Sequence, residues 1–310
     1  MKKITLSLVA AGLAASSLGA YAALPTGAAP FQVTVPNLAP GVEIILEGLY
    51  LQPTISGNDT TFATLGTPNS TGGTNFQTES VSPQYNFGFR VGLGYIFPNS
   101  GNDVQLNWTH FNHNTTDTAQ GLAGGVNVAF SGNLQSKYDA IDLDVGQYMS
   151  IGTRFQTRLF AGVRAAQLQA NQTNTQQIVG SPVAFNQIDN DKFEGIGPRL
   201  GIDAKYNVFD CFGVVAHMAS SLLVSTVKES NERYNSTGVV SSAQAFDNQT
   251  QIVPGFDAKL GVDYSIRFNQ AATSSMNIEL GWQATQYVHA FQDGDGAGFQ
   301  GPYLGVNFKI

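Results

Sequence analysis

Alternation of apolar and polar side chains with a period of two is the feature of this sequence that most constrains its fold. In the stretch YNFGFRVGLGYIF, residues 85–97, every odd position is aromatic or aliphatic, whereas even positions 86 to 94 hold Asn, Gly or Arg. A helix would scatter these glycines over all its faces, but a strand places them on one side. The stretch therefore predicts a strand with one apolar and one polar face.

The same alternation recurs along the chain and predicts ten strands. They cover approximately residues 42–52, 85–97, 103–111, 138–151, 154–167, 196–206, 212–225, 252–267, 276–285 and 303–310. In each, one face is apolar and the other is polar, charged or glycine. Each is about as long as the ~9–11 residues of a tilted membrane strand, or somewhat longer.

The connections between these strands alternate in length. Short turns (PNSGN, GT, NVFDC and NQAATS) follow the even strands, and longer segments rich in Asn, Thr, Ser, Gln and Gly follow the odd ones. These longer segments are residues 53–84, 112–136, 168–192, 228–250 and 290–299. An outer-membrane barrel has short periplasmic turns and long external loops, whereas a soluble β-sandwich has no reason to sort its connections by parity.

We therefore predict an all-β fold: a transmembrane up-and-down antiparallel β-barrel over residues 42–310, of ten strands or two more or fewer, with its apolar faces toward lipid. Aromatic residues at the turn ends of the strands support this prediction, because rings favour the membrane interface. They are Tyr95, Phe97, Phe155, Tyr206, Phe212, Tyr264, Phe268 and Phe308.

The N-terminal region predicts export from the cytoplasm. Residues 1–22 combine two lysines, an apolar run and an Ala-Tyr-Ala ending, which is typical of a secretory signal peptide cleaved between Ala22 and Ala23. Residues 23–41 are rich in proline and are expected to be a periplasmic lead-in, with entry into the lumen left open.

The charge and cysteine content limit the classes of partner and the disulfides that are expected. The chain has a formal net charge of −7 and no basic cluster, which argues against nucleic acid as a partner. The single cysteine, Cys211, excludes an intrachain disulfide. It is expected in a periplasmic turn.

Several strand segments resemble the Legionella-type major outer membrane protein family. They are LYLQP (49–53), NDVQLNWTHF (102–111), YDAIDLDVGQ (138–147) and RLFAGVRAAQL (158–168). The resemblance implies a porin or surface protein in the outer membrane of a Gram-negative bacterium. Family members often form disulfide-linked assemblies, for which Cys211 offers one intermolecular bond and a possible homo-oligomer. The chain departs from the usual terminal aromatic residue, because Ile310 is last and Phe308 lies two before it.

The inward faces of the predicted barrel carry charges of both signs. The expected lumen-lining residues are Glu43, Glu47, Arg90, Asp142, Asp144, Arg158, Arg164, Arg199, Asp203, Lys205, Asp257, Lys259, Asp263, Arg267 and Glu279. Charges inside a barrel must pair or stay hydrated. Two arrangements therefore remain open: a narrow water-filled passage and a salt-bridged plug.

Three strands share a cation followed two residues later by a glycine: Arg90 with Gly92, Arg199 with Gly201, and Lys259 with Gly261. Each glycine removes side-chain volume from the lumen. We expect the neighbouring cation to lie across that space and reach a carboxylate.

These patterns predict a porin-like protein for passive passage of small polar solutes or ions, with no enzymatic activity, cofactor or metal. The alternative is a surface adhesin or structural barrel with a plugged lumen, whose external loops meet host surface molecules. Outer-membrane lipids and lipopolysaccharide are expected partners of either. An omptin-like protease is disfavoured because no omptin-like sequence surrounds the rim candidates, which are His110, His113, His289, Asp117, Asp293 and Asp295.

Overall fold

The chain is built from antiparallel β-strands. The computed structural model describes residues 33–36, 38–55, 61–68, 74–123, 125–237, 239–246, 248–268, 274–291 and 295–310. The predicted signal peptide and its cleavage site, Ala22 and Ala23, lie outside these residues. Within them, no helix is long and apolar enough to cross a membrane.

Ten of the fourteen strands in the described residues close into a ring, and neighbours in the ring are neighbours in chain order. The ring strands are β2 (Gly41–Ile55), β5 (Asn86–Ile96), β6 (Asn102–Ala123), β7 (Val126–Ile151), β8 (Phe155–Ile178), β9 (Ala184–Asn207), β10 (Phe212–Asn235), β12 (Gln249–Arg267), β13 (Ser275–Tyr287) and β14 (Ala297–Lys309). Pairing of β14 with β2 closes the ring. These ten are the strands that the alternation predicted, so the all-β prediction and its ten-strand ring are confirmed.

Four short strands lie outside the ring and were not predicted: β1 (Val33–Thr34), β3 (Thr61–Pro68), β4 (Thr74–Ser80) and β11 (Val240–Ala245). β1 pairs with the last two residues of β7. β3 and β4 form a hairpin that also touches β6, and β11 pairs with the far part of β10.

The strands extend much further at one end of the ring than at the other. At the turn end, short connections join the strands. At the opposite end, which we call the hairpin end, strands continue far beyond their predicted bounds. The prediction of long loops is therefore wrong for residues 112–136 and 168–192, where β6 to β9 continue as strands, and for 228–250, where β10 continues to Asn235 and β11 follows.

The side of the strands that carries the apolar residues changes between the turn end and the hairpin end. In the half near the turn end, outward leucines are solvent-accessible, such as Leu200 at 65% and Leu260 at 62%, while inward charges such as Arg164 are buried. Toward the hairpin end the order is reversed, because inward Leu168 and Phe193 are buried at 1% and 0%. Strand alternation therefore continues into the segments predicted as loops, with the apolar residues now inside.

The reversal occurs at one line of paired residues on the outer surface. Five outward residues pair in register there: His110, Asp139, Gln167, Glu194 and Thr226. We call them the exchange row. Below it, toward the turn end, the outer surface of β6 to β10 is apolar, and above it the outer surface is polar.

Candidate functional site

A cavity of about 460 Å³ lies inside the ring. Its lining runs from Glu43 and Lys309 at the turn end to Asp257 and Thr285 further in. All the expected lumen-lining residues except Asp263 line this cavity. Asp263 is also inside the ring, where it is 2% exposed and forms an ion pair with Lys205.

The innermost part of the cavity is closed by a cluster of two arginines and three aspartates. Arg164 donates two hydrogen bonds to Asp142, at 2.6 and 2.8 Å, and its Nη1 lies 2.7 Å from Asp257. Arg199 binds Asp144 and lies 3.6 Å from Asp257. All five side chains are 10% exposed or less, so the two cations and three carboxylates compensate one another with little help from bulk water.

A second cluster joins Glu47 to a cation on the neighbouring strand β5 and to another across the lumen on β12, which does not pair with β2. Glu47 on β2 accepts hydrogen bonds from Arg90 on β5 and from Lys259 on β12, with Lys259 Nζ 2.7 Å from both carboxylate oxygens. Arg90 Nε also donates to Thr109 at 2.8 Å. Both cations therefore reach a carboxylate, as expected from the sequence, and it is the same carboxylate, that of Glu47.

A third cluster lies nearer the turn end and contains a residue that the sequence analysis missed. Arg158 donates to Asp103 at 2.8 to 2.9 Å and to Asp203 at 3.0 Å, and Asp203 also pairs with His217. Asp103 is 0% exposed. It is the first residue of the predicted strand 103–111 and has the parity of inward Gln105, so applying the alternation to the strand's first residue would have found it.

Gly201, two residues after Arg199, makes room for an aromatic ring. Phe160 is 5% exposed, and its ring centroid lies 5.0 Å from the guanidinium carbon of Arg158 and 4.9 Å from that of Arg199. A Cβ atom on Gly201 would overlap this ring. The expectation that the cation itself lies across the glycine is therefore corrected here, because Phe160 fills the space and the cations stack on it.

Neighbouring side chains also take the space beside the other two glycines. Tyr303 lies against Gly261, and Lys259 Nζ is 4.9 Å from its ring centroid. A Cβ on Gly92 would overlap the amide of Asn107. Glycine in this lumen thus permits close packing of a neighbour and does not widen the passage.

An aromatic layer lies inside the ring on the hairpin side of the charged clusters. It consists of Phe111, Tyr138, Phe193, Tyr287 and Phe299, which are 0% to 5% exposed. Their centroids are 4.8 to 6.0 Å apart in successive contacts. These residues come from β6, β7, β9, β13 and β14, so the layer is supplied from around the ring.

The aromatic layer is joined to the charged clusters below it. The hydroxyls of Tyr138 and Tyr287 lie 3.2 Å apart, and Arg164 donates to the Tyr287 hydroxyl at 3.4 Å. Sequence analysis missed the layer because it assigned several of these positions to strand ends or loops. Their inward parity is the signal that could have found them.

Segments outside the ring strands contact the interior at both ends of the ring. At the hairpin end, Phe62 and Leu65 of β3 form a buried cluster with Val128, Phe130 and Leu134 of β7. At the turn end, Pro36 and Leu38 of the predicted lead-in line the mouth of the cavity. Periplasmic placement of residues 23–41 remains a prediction.

The rim candidates for proteolysis do not form one group in the described residues. His110 pairs with Asp139 at 2.6 Å, whereas His113 contacts Thr115 at 2.8 Å. Asp117 accepts a hydrogen bond from the Ser82 amide. Asp293 lies outside the described residues, and His289 adopts a left-handed backbone conformation with φ of 54°.

Two further predictions concern cysteine and metal. Cys211 is exposed in the turn between β9 and β10, where an intermolecular disulfide would be accessible. Among the described residues, no group of three or more His, Cys, Asp or Glu side chains could hold a metal ion. The intermolecular disulfide and the lack of a bound metal both remain untested predictions.

Comparison with known proteins gives a family match over nearly the whole described chain. The family model described as Legionella pneumophila major outer membrane protein precursor matches residues 34–310. None of the curated proteins compared with the chain matches it.

Three solved structures show weak overall similarity. A Pseudomonas aeruginosa FadL homologue is 7% identical and covers 88% of this chain and 90% of its own, with a TM-score of 0.27. The corresponding values are 9%, 88%, 90% and 0.24 for the Ralstonia pickettii toluene transporter TbuX, and 6%, 87%, 89% and 0.25 for the Pseudomonas putida toluene transporter TodX.

Proposed function

Because the chain belongs to the Legionella pneumophila major outer membrane protein family and resides in the outer membrane, we propose that it is a surface barrel with a closed lumen. In this proposal the ten ring strands cross the membrane, the turn end lies in the periplasm, and the hairpin end faces outward. The observation that carries it is the aromatic layer, whose five rings are 0% to 5% exposed.

The ion pairs on the periplasmic side of this layer support closure. Arg164 and Arg199 are engaged by three aspartates, and Glu47 ties β2 to β12 across the lumen. Opening a path would require these groups to exchange short ion pairs for water while the aromatic rings lose their contacts. A plugged, structural and surface-presenting barrel therefore fits the geometry better than a general porin.

The exposed hairpins suit a role at the cell surface. Beyond the exchange row, the outward residues of β8 include Gln169, Asn171 and Thr173. Uncharged polar surfaces of this kind are compatible with contact to host molecules, and surface extensions commonly carry such functions. Attachment of cells with the hairpin tips removed, compared with unaltered cells, would test this part of the proposal.

Porin-like passage is the second candidate, and the charged cavity of about 460 Å³ favours it. The lining carries both signs of charge, which suits small polar solutes or ions better than apolar compounds. Under this candidate, the aromatic layer would have to move aside during passage.

Current through planar bilayers separates the two candidates. We expect the purified, folded protein to carry no steady ion current, because the aromatic layer leaves no hydrated path. A Phe193→Ala, Tyr287→Ala double variant removes two of its rings and should conduct. The matched control is Leu143→Ala, which truncates a lipid-facing residue that is 50% exposed and should remain closed.

A steady current from the unaltered protein would contradict the closed lumen and favour porin-like passage. In that case, ion selectivity should change in an Arg90, Arg199 and Lys259 to Ala triple variant, since those cations line the cavity. A double variant that is folded by heat-modifiable gel mobility yet carries no current would show that the aromatic layer does not control closure.

A further inference from the structure

Three lysines form a line on the outer surface of the ring. Lys137 on β7, Lys192 on β9 and Lys228 on β10 occupy one register row, with Gln169 of β8 between the first two. They lie two residues beyond the exchange row, on the same outward face. Neighbouring strands are about 4.8 Å apart, so the backbones at Lys137 and Lys192 are roughly 10 Å apart and those at Lys192 and Lys228 are roughly 5 Å apart.

The lysine row is only partly neutralised by protein groups. Lys137 lies 3.4 Å from Asp139, and Lys192 lies 2.7 Å from Glu194. Lys228 is exposed and forms no ion pair within the part of the chain that the structure describes. Three cations therefore face two carboxylates, which leaves a site for an anion.

An apolar groove of about 480 Å³ lies on the membrane side of this row, with the exchange row between the groove and the lysines. Its apolar lining includes Trp108, Ile141, Ala165, Ile196 and Val224, which pair in register across β6 to β10. Ala165 is the small residue of that line and provides the floor between two isoleucines. The exchange row borders the groove at its polar end.

We propose that the groove and the lysine row together bind a phosphate-bearing lipid of the lipopolysaccharide class from the outer leaflet. An acyl chain lies in the groove over Ala165, and a phosphate meets Lys137, Lys192 and Lys228. The order of apolar groove, polar line and basic line matches the order of chain, linkage and phosphate in such a lipid. The inference rests on the proposed orientation, with the hairpin end outside.

Charge favours a lipid over a second copy of the chain as the occupant. A two-fold contact through this face would bring one lysine row toward the other, and like charges repel. Free phosphate would use the lysines but would leave the groove unfilled. The lipid satisfies both halves of the surface at once.

Native mass spectrometry of the detergent-solubilised full chain tests the proposal. The probes are a diphosphorylated lipid A-type glycolipid, the same glycolipid without phosphates, and inorganic phosphate. We expect saturable binding of the first and at least about tenfold weaker binding of the second. Inorganic phosphate should not displace the bound lipid, because it cannot occupy the groove.

Variants divide the site into its two parts. Replacing Lys137, Lys192 and Lys228 by Gln should weaken binding of the diphosphorylated lipid about 100-fold, at about tenfold or less for each lysine. Ala165→Phe fills the groove floor and should weaken both glycolipids. Arg154→Gln is the matched control, because Arg154 is an exposed cation at the turn end; its binding should equal that of the unaltered protein.

Equal binding of the two glycolipids would overturn phosphate recognition, and triple-variant binding within about threefold of the unaltered protein would overturn the lysine site. Dimers that Ala165→Phe abolishes would assign the groove to a second copy instead. None of these readouts depends on ion current, so failure of this inference and failure of the closed-lumen proposal are distinguishable.

Discussion

Replacing Arg164 by methionine removes the cation that binds two buried carboxylates at once. Arg164 contacts Asp142 at 2.6 and 2.8 Å and Asp257 at 2.7 Å, and its side chain is 3% exposed. Methionine retains much of the apolar volume but none of the charge. The variant therefore tests whether the lumen holds compensated charges in a medium with little water.

The expected loss follows from the burial of the partners left behind. Removing one partner of a buried ion pair costs about 3–5 kcal/mol. Arg199 remains 3.6 Å from Asp257 and 3.9 Å from Asp142, so the loss should lie near about 3 kcal/mol. At a slope of about 2 kcal/mol per M, the midpoint of urea unfolding should fall by about 1.5 M.

Neutralising the abandoned carboxylates should restore part of this loss. We expect Arg164→Met combined with Asp142→Asn and Asp257→Asn to recover about half of the lost free energy, since no uncompensated buried charge remains. Reversible urea unfolding in lipid vesicles, followed by tryptophan fluorescence, provides the measurement. Lys192→Met is the matched control: its ion pair is also 2.7 Å long, but the side chains are 36% and 42% exposed, so the loss should stay below about 1 kcal/mol.

Two results would refute the argument. Arg164→Met within about 1 kcal/mol of the unaltered protein would mean that water screens the cluster effectively. A combined variant no more stable than Arg164→Met would mean that lost packing, rather than abandoned charge, causes the effect.

Two further substitutions test packing in the lumen and in the hairpin half, again by urea unfolding. Gly201→Ala should cost about 1–3 kcal/mol, because its Cβ would overlap Phe160, whereas Gly48→Ala should be near neutral because its Cβ meets a single atom at 3.9 Å; equal losses would contradict the packing argument. Leu168→Ala should cost about 2–5 kcal/mol because Leu168 is 1% exposed, whereas Gln169→Ala on the outward face should change stability by no more than about 0.5 kcal/mol. The opposite ranking would mean that these faces are wrongly assigned.

The ring strands were predictable because two different environments act on alternate residues. Leu200, Arg199 and Gly201 show the pattern: the first is outward and apolar, and the others are inward. Since the period of a strand is two, a few such triplets assign every position in the segment to one face. The same reasoning found nearly all the charges that line the cavity.

The hairpin half could not be predicted from the same pattern. In the segment from Ala166 to Thr173, outward Gln and Asn have the composition of a loop, and only inward Ala166, Leu168 and Ala170 keep the alternation. The packing of Phe62 against Gly132 depends on contact between segments far apart in sequence. Local composition therefore suggested loops where tertiary packing stabilises strands.

The ion-pair partners of individual charged residues also could not be predicted from the local sequence. Glu47 and Lys259 are separated by 212 residues and lie on strands that do not pair. Parity places both side chains inside the ring, but only ring closure determines that they meet. Asp103, in contrast, required no tertiary information.

In the proposed orientation, the exchange row determines how deeply the protein sits in its bilayer. On β7 the outward positions from Ile141 to Ile151 span about 33 Å along the strand, or about 25 Å across the membrane at a tilt of about 40°, which equals the apolar height of outer-membrane barrels. Sinking further would carry Asp139 and Glu194 into hydrocarbon, and rising would bring Ile141 and Ile196 into water. A bilayer of another thickness must therefore thin or thicken around the protein, because the protein cannot relieve the mismatch by sliding.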